Sequence, residues 1–179
     1  MANRNDADER HVLAVLVDNE PGVLARVVGL FSGRGYNIET LTVAAVSEDE
    51  SSSRINIVTT GTPMIIEQIK AQLERLVPVR DVHDLTTEGP HVAHEVALVK
   101  IENEGPERRE ALRIFRARVV DTGVDSFVFS LTGASEKVDS FLQLMRNLGQ
   151  TEIARSGVVA IQRSGKDGKP NLGDRQDDD

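Results

Sequence analysis

The sequence contains no cysteine and no tryptophan, and aromatic residues make up only 3% of its 179 residues. The absence of cysteine excludes thiol catalysis, disulfide bonds and thiolate metal sites. With so few aromatic side chains, the core must be built from Val, Leu, Ile and Ala, which favours small strand-rich units. No apolar run approaches the length needed to cross a bilayer, and the polar N-terminus does not resemble a signal peptide. We therefore expect a cytoplasmic protein without membrane contact.

The chain is acidic, with a formal net charge of −8 at pH 7. Proteins that bind a phosphate backbone normally carry the opposite balance, so nucleic acid is not an expected partner. The pattern of the one basic cluster is typical of a solvated helix face paired with neighbouring Glu residues. A surface for an anion or a partner is the alternative interpretation. The cluster consists of Arg108, Arg109, Arg113, Arg116 and Arg118.

The hydrophobic pattern changes its period repeatedly along the chain. Over residues 10–87, apolar runs, turn signals and amphipathic stripes predict the order β-α-β-β-α-β. Apolar residues within 24–31 have the i, i+3, i+4, i+7 spacing of an amphipathic helix. Thr62 and Pro63 are a favourable N-cap and first-turn pair for the second helix. This order is typical of a ferredoxin-like module.

The same element order repeats over residues 95–163, although the two halves show no identity at the level of residues. The repeat predicts an α+β protein with two ferredoxin-like βαββαβ modules, joined by a linker at residues 88–94. Residues 152–161 are predicted to form one closing strand. Residues 1–9 and the acidic tail at 164–179 have little to bury, and we expect them to be disordered. Because each module leaves a sheet face or edge uncovered, we expect a dimer.

Catalytic and metal sites are hard to find in this sequence. None of its glycines matches a dinucleotide-binding or phosphate-binding loop, and no Ser lies in a nucleophile elbow. His91 and His94 have no third ligand at the spacing of a metal site. The carboxylates lie in predicted loops and on polar helix faces, where solvation accounts for them. We therefore expect no catalytic residue and no metal ligand.

One constellation, Asn19-Glu20-Pro21-Gly22, lies between the first predicted strand and the first predicted helix. Such a turn exposes backbone N–H groups, here near Gly22 and Val23, whose partial positive charge suits a carboxylate. Gly22 has no Cβ to block a small ligand, and Asn19 offers both an amide donor and a carbonyl acceptor. By the pattern alone, an ordinary turn with an Asn side-chain hydrogen bond is the simpler account. The residues that could line a pocket for an aliphatic side chain are Val23, Leu24 and Ile38.

The sequence around this constellation resembles a known family. NEPGVLARV at 19–27, followed by RGYNIETLTV at 34–43, is similar to the ACT domain of acetohydroxyacid (acetolactate) synthase regulatory subunits. HEVALVKI at 94–101 and ARSGVVA at 154–160 resemble the second domain of the same family. The resemblance covers about residues 10–163. In one departure, the helix before Phe115 is about one turn shorter than in the family.

The resemblance implies a regulatory (small) subunit of acetolactate synthase, without an active site or a cofactor of its own. It implies a separate catalytic (large) subunit that carries thiamine diphosphate, Mg²⁺ and FAD. That partner condenses two pyruvates to 2-acetolactate and CO₂ in the biosynthesis of valine and isoleucine. The regulatory chain activates its partner and confers feedback inhibition by valine.

The resemblance also implies a position for the effector, because valine lies between two ACT domains of a homodimer in this family. A free-standing tandem ACT sensor, acting in transcriptional or signalling control, is the alternative and would use the same turn. The matches in the second domain argue against it. The sequence does not decide among valine, leucine and isoleucine as the preferred effector. By motif, the effector contacts are Asn19, Gly22, Val23 and Leu24 from one protomer, and Asn37 and Ile38 from the other.

Overall fold

The structure is a computed structural model that describes residues 7–102, 106–124, 126–149 and 151–163. The side chains of residues 106–109 and 111 lie outside this description. The predicted disorder of 164–179, and of the first six residues, also falls outside the described residues. In the part of the chain that is described, no helix combines the length and apolar character needed to cross a lipid bilayer.

The first unit has the predicted β-α-β-β-α-β order. The four strands are antiparallel neighbours in the order second, third, first, fourth, so the second and fourth strands form the sheet edges. The elements are β1 (Glu9–Asp18), α1 (Val23–Arg34), β2 (Thr40–Ala45), β3 (Ser52–Gly61), α2 (Pro63–Leu73) and β4 (Val79–Asp84).

Local sequence signals account for the helix ends in this unit. Gly35 ends α1 with φ 72°, and the N–H of Tyr36 donates to the carbonyl of Phe31 at 3.0 Å. Such a left-handed glycine is a frequent helix terminus. At the start of α2, the Thr62 hydroxyl accepts the N–H of Ile65 at 3.4 Å, which is the predicted N-cap contact.

The core of the first unit lies between its helices and one face of the sheet. Successive side chains of a strand point to opposite faces, so alternate residues of β1 and β3 face the helices. Complete burial of one such aliphatic side chain contributes roughly 1.5–3 kcal/mol, so a small cluster suffices for a thin core. The cluster consists of Leu13, Val15, Val17, Val23, Val27, Phe31, Ile55, Ile57, Ile66, Ile69, Leu73 and Val82.

The second unit repeats the element order and the strand order of the first. Its strands β6-β7-β5-β8 correspond to β2-β3-β1-β4. The prediction of an α+β protein with two ferredoxin-like βαββαβ modules is confirmed. Its buried core consists of Ala97, Val99, Ile101, Leu112, Phe129, Leu131, Val138, Phe141, Leu142 and Met145. The elements are β5 (His91–Glu102), α3 (Pro106–Phe115), β6 (Arg118–Thr122), β7 (Ser126–Gly133), α4 (Ser135–Leu148) and β8 (Thr151–Arg155).

Two element boundaries differ from the sequence prediction. β5 begins at His91, inside the segment predicted as a linker, and the single closing strand predicted at 152–161 is two strands, β8 and β9 (Val159–Gln162). Gly157 lies between them with φ 81°, a left-handed conformation that interrupts a regular strand. β9 pairs with β5.

The described residues group into two compact units. The first extends to Val92 and also takes in the segment that begins at Ala160, whereas the second spans Ala93–Val159. The predicted module ranges, 10–87 and 95–163, differ from this division mainly in the placement of β9. The partner strand of β9 could not be predicted from its apolar pattern.

Candidate functional site

The predicted constellation forms the connection between β1 and α1. Gly22 is the N-cap of α1 and has φ 85° and ψ −1°. This left-handed conformation favours glycine, because other residues adopt it at an energetic cost. Apart from the two adjacent residues, no atom of the described part of the chain lies within 4 Å of a Cβ placed at Gly22. The backbone conformation therefore accounts for the glycine, and the space above it is open to a ligand.

The first turn of α1 has free backbone donors. The N–H of Val23 donates to the carbonyl of Glu20 at 3.2 Å. Within the described part of the chain, the N–H groups of Leu24 and Ala25 have no acceptor, and no side chain caps the helix. Two adjacent donors at a helix N-terminus suit a carboxylate. The donors thus lie slightly later than the expected positions near Gly22 and Val23, because Val23 is bonded back to Glu20.

Asn19 connects the turn to the loop between β2 and β3. Its side-chain Nδ2 donates to the carbonyl of Glu50 at 2.8 Å, and its backbone N–H donates to the carbonyl of Ser51 at 2.8 Å. With its amide nitrogen engaged, Asn19 retains Oδ1 as an acceptor for an ammonium group. In the same loop, hydrogen bonds from Ser51 and then Ser47 lower the pKa of Asp49 to about 2. The sequence gives no sign of the contact with Glu50, because it joins distant residues.

The strand end that precedes the turn is fixed by neighbouring strands. The N–H of Asp18 donates to the carbonyl of Pro78 at 2.7 Å. The Arg80 guanidinium pairs with the Asp18 carboxylate and donates to the Ser52 hydroxyl at 3.0 Å. These contacts join the end of β1 to β3 and to the segment around β4. The turn therefore starts from a well-anchored position in the sheet.

The apolar residues and Asn37 occupy different environments. Val23 belongs to the core with 6% exposure, so it offers its backbone and not a pocket wall. Leu24 is 38% exposed beside the free donors. At the other end of α1, Asn37 is exposed and its carbonyl accepts the Thr59 hydroxyl at 2.6 Å. Ile38 is partly buried against the core.

The two groups of predicted effector contacts lie at opposite ends of α1. The helix has 12 residues, and a helix of that length extends about 18 Å at 1.5 Å per residue. The turn at Gly22 precedes it, and Asn37 follows it. A single α-amino acid is much shorter than this separation, so it cannot contact both groups of one chain.

Titratable side chains elsewhere do not assemble a metal site in the described residues, where no group of three or more His, Asp or Glu is arranged to hold an ion. His91 and His94 lie in β5. His11 is buried and its Nδ1 lies 2.7 Å from Oδ2 of Asp84. This pair joins β1 to β4 inside the unit and is not open to a substrate.

The predicted basic cluster lies on α3 and at the start of β6. Arg113 pairs with Glu110 at 2.7 Å on the exposed side of α3, and its hydrogen bond lowers the pKa of Glu110. Arg116 and Arg118 are exposed. The side chains of the two remaining members lie outside the described residues. Arg113 is thus a solvated residue paired with a neighbouring Glu.

Comparison with known families gives matches over both units. The description "AHAS small subunit-like ACT domain" matches residues 13–81. The description "Small subunit of acetolactate synthase" matches residues 94–164. Together these two matches include the turn, α1 and almost all of the second unit.

Individual relatives match over nearly their whole length. The acetolactate synthase isozyme 3 small subunit of Salmonella typhimurium is 45% identical over 161 residues, or 88% of this chain and 98% of the relative. The acetolactate synthase small subunit of Mycolicibacterium smegmatis is 41% identical and covers 86% of this chain and 91% of its own length. The crystal structure of the acetolactate synthase small subunit from Thermotoga maritima has a TM-score of 0.78 and 35% identity, covering 87% of this chain and 98% of that chain. These matches show that the chain belongs to the family of acetolactate synthase small subunits.

Proposed function

We propose that this chain activates a catalytic acetolactate synthase subunit and makes that subunit sensitive to inhibition by valine. The observation that carries the proposal is the β1–α1 turn. Its free N–H groups at Leu24 and Ala25 lie in the same connection as the Oδ1 of Asn19. These donors and this acceptor are complementary to the two charged ends of an α-amino acid.

In this proposal the chemistry belongs to the partner. The catalytic subunit would carry thiamine diphosphate, Mg²⁺ and FAD, and would join two pyruvates to form 2-acetolactate with loss of CO₂. The present chain would carry no cofactor and would contribute binding and regulation. Membership in a family of small subunits supports the existence of such a partner.

Valine would bridge two copies of this chain. Its carboxylate would accept the N–H groups of Leu24 and Ala25, and its ammonium would approach Oδ1 of Asn19. The second copy would supply Asn37 and Ile38, since α1 keeps them far from the turn of their own chain. In the sheet of the described residues β2 is an edge strand, and edge strands are the ones that can pair with a second chain. A two-fold axis would then create two equivalent sites.

Bridging gives the ligand a means of control, because its affinity then depends on how the two chains are arranged. Valine can shift the assembly only by the difference in its affinity for the active and inhibited arrangements. Such couplings are typically about 1–3 kcal/mol, which corresponds to useful but partial inhibition. Discrimination between valine and leucine rests on one methylene, worth roughly 1–3 kcal/mol, so we expect leucine to inhibit more weakly.

The test uses a matched pair of substitutions at the turn. We expect Gly22→Asp to abolish valine inhibition and to preserve activation, because a carboxylate at the turn repels the carboxylate of valine. Gly22→Asn is the control, since Asn has a similar size, tolerates left-handed conformations and carries no charge. Acetolactate formation by the purified catalytic subunit, measured with each variant over a range of valine concentrations, gives both readouts. Unchanged inhibition of the Gly22→Asp assembly would show that the site is elsewhere.

The alternative, a free-standing amino-acid sensor, would use the same turn without a synthase partner. Capture from the native lysate with this chain as bait separates the two functions. We expect an acetolactate-forming enzyme to be recovered and to lose activity when valine is added. If no acetolactate-forming enzyme is recovered, but valine stabilises a dimer of this chain, the result would favour the free-standing sensor.

A further inference from the structure

A basic groove lies between α1 and α2 on the surface of the first unit. Its volume is about 590 Å³, and it is open to solvent along the two helices. We refer to it as the α1–α2 groove. Its polar and small lining residues are Arg26, Arg34, Gln72, Arg75, Gly29 and Gly33.

The chain leaves much of the positive charge in this groove without a counterion. Arg34 donates to Oε1 of Gln72 at 3.0 Å, a contact with an uncharged group that joins the two helices. Among the described residues, the guanidinium groups of Arg26 and Arg75 form no ion pair and no hydrogen bond, although their backbone N–H groups donate to the carbonyls of Gly22 and Gln72. Three other cations of the same unit have carboxylate partners: Arg10 with Glu39, Lys70 with Glu88, and Arg80 with Asp18. Arg54 of β3 is half-buried outside the groove, and its Nε and one Nη have no partner among the described residues.

Two glycines provide an open helix surface beside these arginines. Gly29 and Gly33 are four residues apart in α1, so they lie on the same face of the helix. A Cβ at either position would meet no atom of the described residues within 4 Å, apart from the adjacent residues and the backbone of the helix itself. Glycine is less favourable than alanine in a helix interior, and packing inside this unit does not require it at these positions. The two positions are therefore open to close approach by an external group.

The shape and charge of the groove favour a protein segment over a small molecule. Small-molecule sites usually enclose most of their ligand, whereas this groove is open along its length. The cations lie on α1 and in the turn that follows α2, and this spread suits several carboxylates along one chain. In a protein with a net charge of −8, such a patch is a local exception that complements an acidic partner.

We propose that the α1–α2 groove docks an acidic segment of the catalytic subunit. This inference rests on the proposed function, because it assigns a contact surface to the partner named there. It also gives α1 a double role. The helix starts at the proposed effector turn, ends just before Asn37 and carries the docking residues on its exposed side. A valine-dependent change in the position of α1 would then reach the catalytic subunit directly.

The first experiment reverses the charge of the groove. The triple variant Arg26→Glu, Arg34→Glu, Arg75→Glu is compared with wild type for its Kd toward the purified catalytic subunit, at low and physiological salt. We expect the Kd to rise by at least about tenfold and its salt dependence to decrease, because paired charges across the interface are lost. The control, which makes the same change in net charge on exposed residues of the second unit, should change the Kd by less than about twofold. Its substitutions are Lys100→Glu, Lys137→Glu and Arg146→Glu.

A second variant tests the glycine surface and separates docking from folding. In the double variant Gly29→Gln, Gly33→Gln, each new Cβ has no described atom within 4 Å apart from the adjacent residues and the backbone of the helix itself, and glutamine is a better helix former than glycine. We expect the midpoint of thermal unfolding to rise while the Kd toward the catalytic subunit also rises. If the variant lost affinity because it folded poorly, the midpoint of thermal unfolding would instead fall while the Kd rose.

Several results would overturn the assignment. Unchanged Kd values for both groove variants would show that the catalytic subunit binds elsewhere. Loss of the dimer by the charge-reversal variant in sedimentation would assign the groove to a second copy of this chain. If the triple charge reversal no longer changes the Kd in a chain truncated after Arg163, the acidic tail at 164–179 is the occupant of the groove. If wild type and the control also fail to bind the catalytic subunit, the proposed function itself fails, and this inference fails with it.

Discussion

The two modules share a strand order, yet each joins its first strand to its last with a different pair of ionisable side chains. In the first module His11 of β1 pairs with Asp84 of β4, and in the second Glu95 of β5 pairs with Arg155 of β8. The positions are equivalent in the two sheets. Asp84 lies opposite Leu13, two residues after His11, and Arg155 lies opposite Ala97, two residues after Glu95. The fold thus places an ionisable pair at one position and allows different chemistry there.

The two pairs differ in their access to solvent and to other partners. His11 and Asp84 are 2% and 1% exposed, and Asp84 also accepts the Thr86 N–H and the Thr87 hydroxyl, each at 3.0 Å. In contrast, the fully buried Glu95 faces an Arg155 whose side chain is 35% exposed. Arg155 also contacts Asp139 at 2.7 Å. The first pair is enclosed by the protein, whereas Arg155 of the second pair is partly exposed and has a second carboxylate partner. Substitutions at the two equivalent positions should therefore differ in their effect on stability.

The largest expected effect comes from removing the acid of each pair. Asp84→Ala should lower the free energy of unfolding by about 3–5 kcal/mol, because it leaves buried groups without their partner. Glu95→Ala should lower it by about 1–3 kcal/mol, since Arg155 can turn to solvent and to Asp139. Urea unfolding of the full chain, followed by circular dichroism, measures both. Equal losses would show that burial of the acid alone decides the cost.

A smaller effect is expected from the caps of the second helix in each module. Thr62 caps α2 through its hydroxyl, whereas Ala134 at the equivalent start of α4 offers no side-chain acceptor. Thr62→Ala should destabilise the first module by about 1 kcal/mol, and Ala134→Asp should stabilise the second by a similar amount. Thermal unfolding of the two variants tests the prediction. Ala134→Leu is the control that adds bulk without an acceptor, and a gain in stability from it would argue against capping.

The smallest expected effect concerns pH. Burial disfavours the charged form of His83, but hydrogen bonds and charges from Glu88 and Asp81 outweigh it and raise the pKa of His83 above its usual 6.5. A raised pKa stabilises the fold at pH values below 6.5, and this stabilisation disappears as the pH rises through the pKa of the folded state. His83→Gln should therefore lower the free energy of unfolding by about 0.5–1 kcal/mol at pH 6 and by much less at pH 9.

The comparison between modules supplies the control for this pH effect. Ala154 occupies the position in β8 that His83 occupies in β4, as judged from the strand registers. Ala154→Gln is then the matched substitution, and its effect should be the same at both pH values. Urea titrations at pH 6 and pH 9 provide the data. If the difference in free energy of unfolding between wild type and His83→Gln is the same at both pH values, the charge of His83 does not contribute to stability.

Local patterns predicted the fold well, because each module is built from short elements with clear periods. Three predicted features depend only on residues that are close in sequence. They are the stripe of apolar residues in α1, the Thr62 cap and the order of helices and strands along the chain. The break at Gly157 was missed, since the apolar residues before it, Ile153 and Ala154, and those after it, from Val158 onward, are typical of one continuous strand. A glycine in a strand-like run was the available sign of this interruption.

The turn between β1 and α1 was predicted from the sequence, whereas the hydrogen bonds within it were not. Asn19 and Gly22 lie in the expected turn, but the engagement of Asn19 by Glu50 depends on how β2 and β3 fold back beside β1. The shift of the free donors to Leu24 and Ala25 likewise follows from one short-range bond of Val23. Hydrogen bonds of this kind depend on backbone angles that residue types restrict only loosely.

The expectation that the two halves share no identical residues is wrong at one place, the connection that precedes the first helix of each module. The first connection contains Asn-Glu-Pro-Gly at 19–22, and the equivalent connection contains Asn-Glu-Gly-Pro at 103–106. The exchange of the last two residues changes the start of the helix. α1 follows a left-handed glycine and offers free N–H groups, whereas α3 begins with Pro106, which has no N–H. In the sequence, the order of these two residues thus places a proline without an N–H at the first position of α3.

The separation of the proposed effector contacts by α1, about 18 Å, has a genetic consequence. In a mixed dimer of a Gly22→Asp chain and an Asn37→Ala chain, both defects fall in one site and the other site receives two unaltered halves. Two alleles that are each insensitive to valine should therefore restore partial sensitivity when they are expressed together. A site contained within one chain could not show such complementation between alleles.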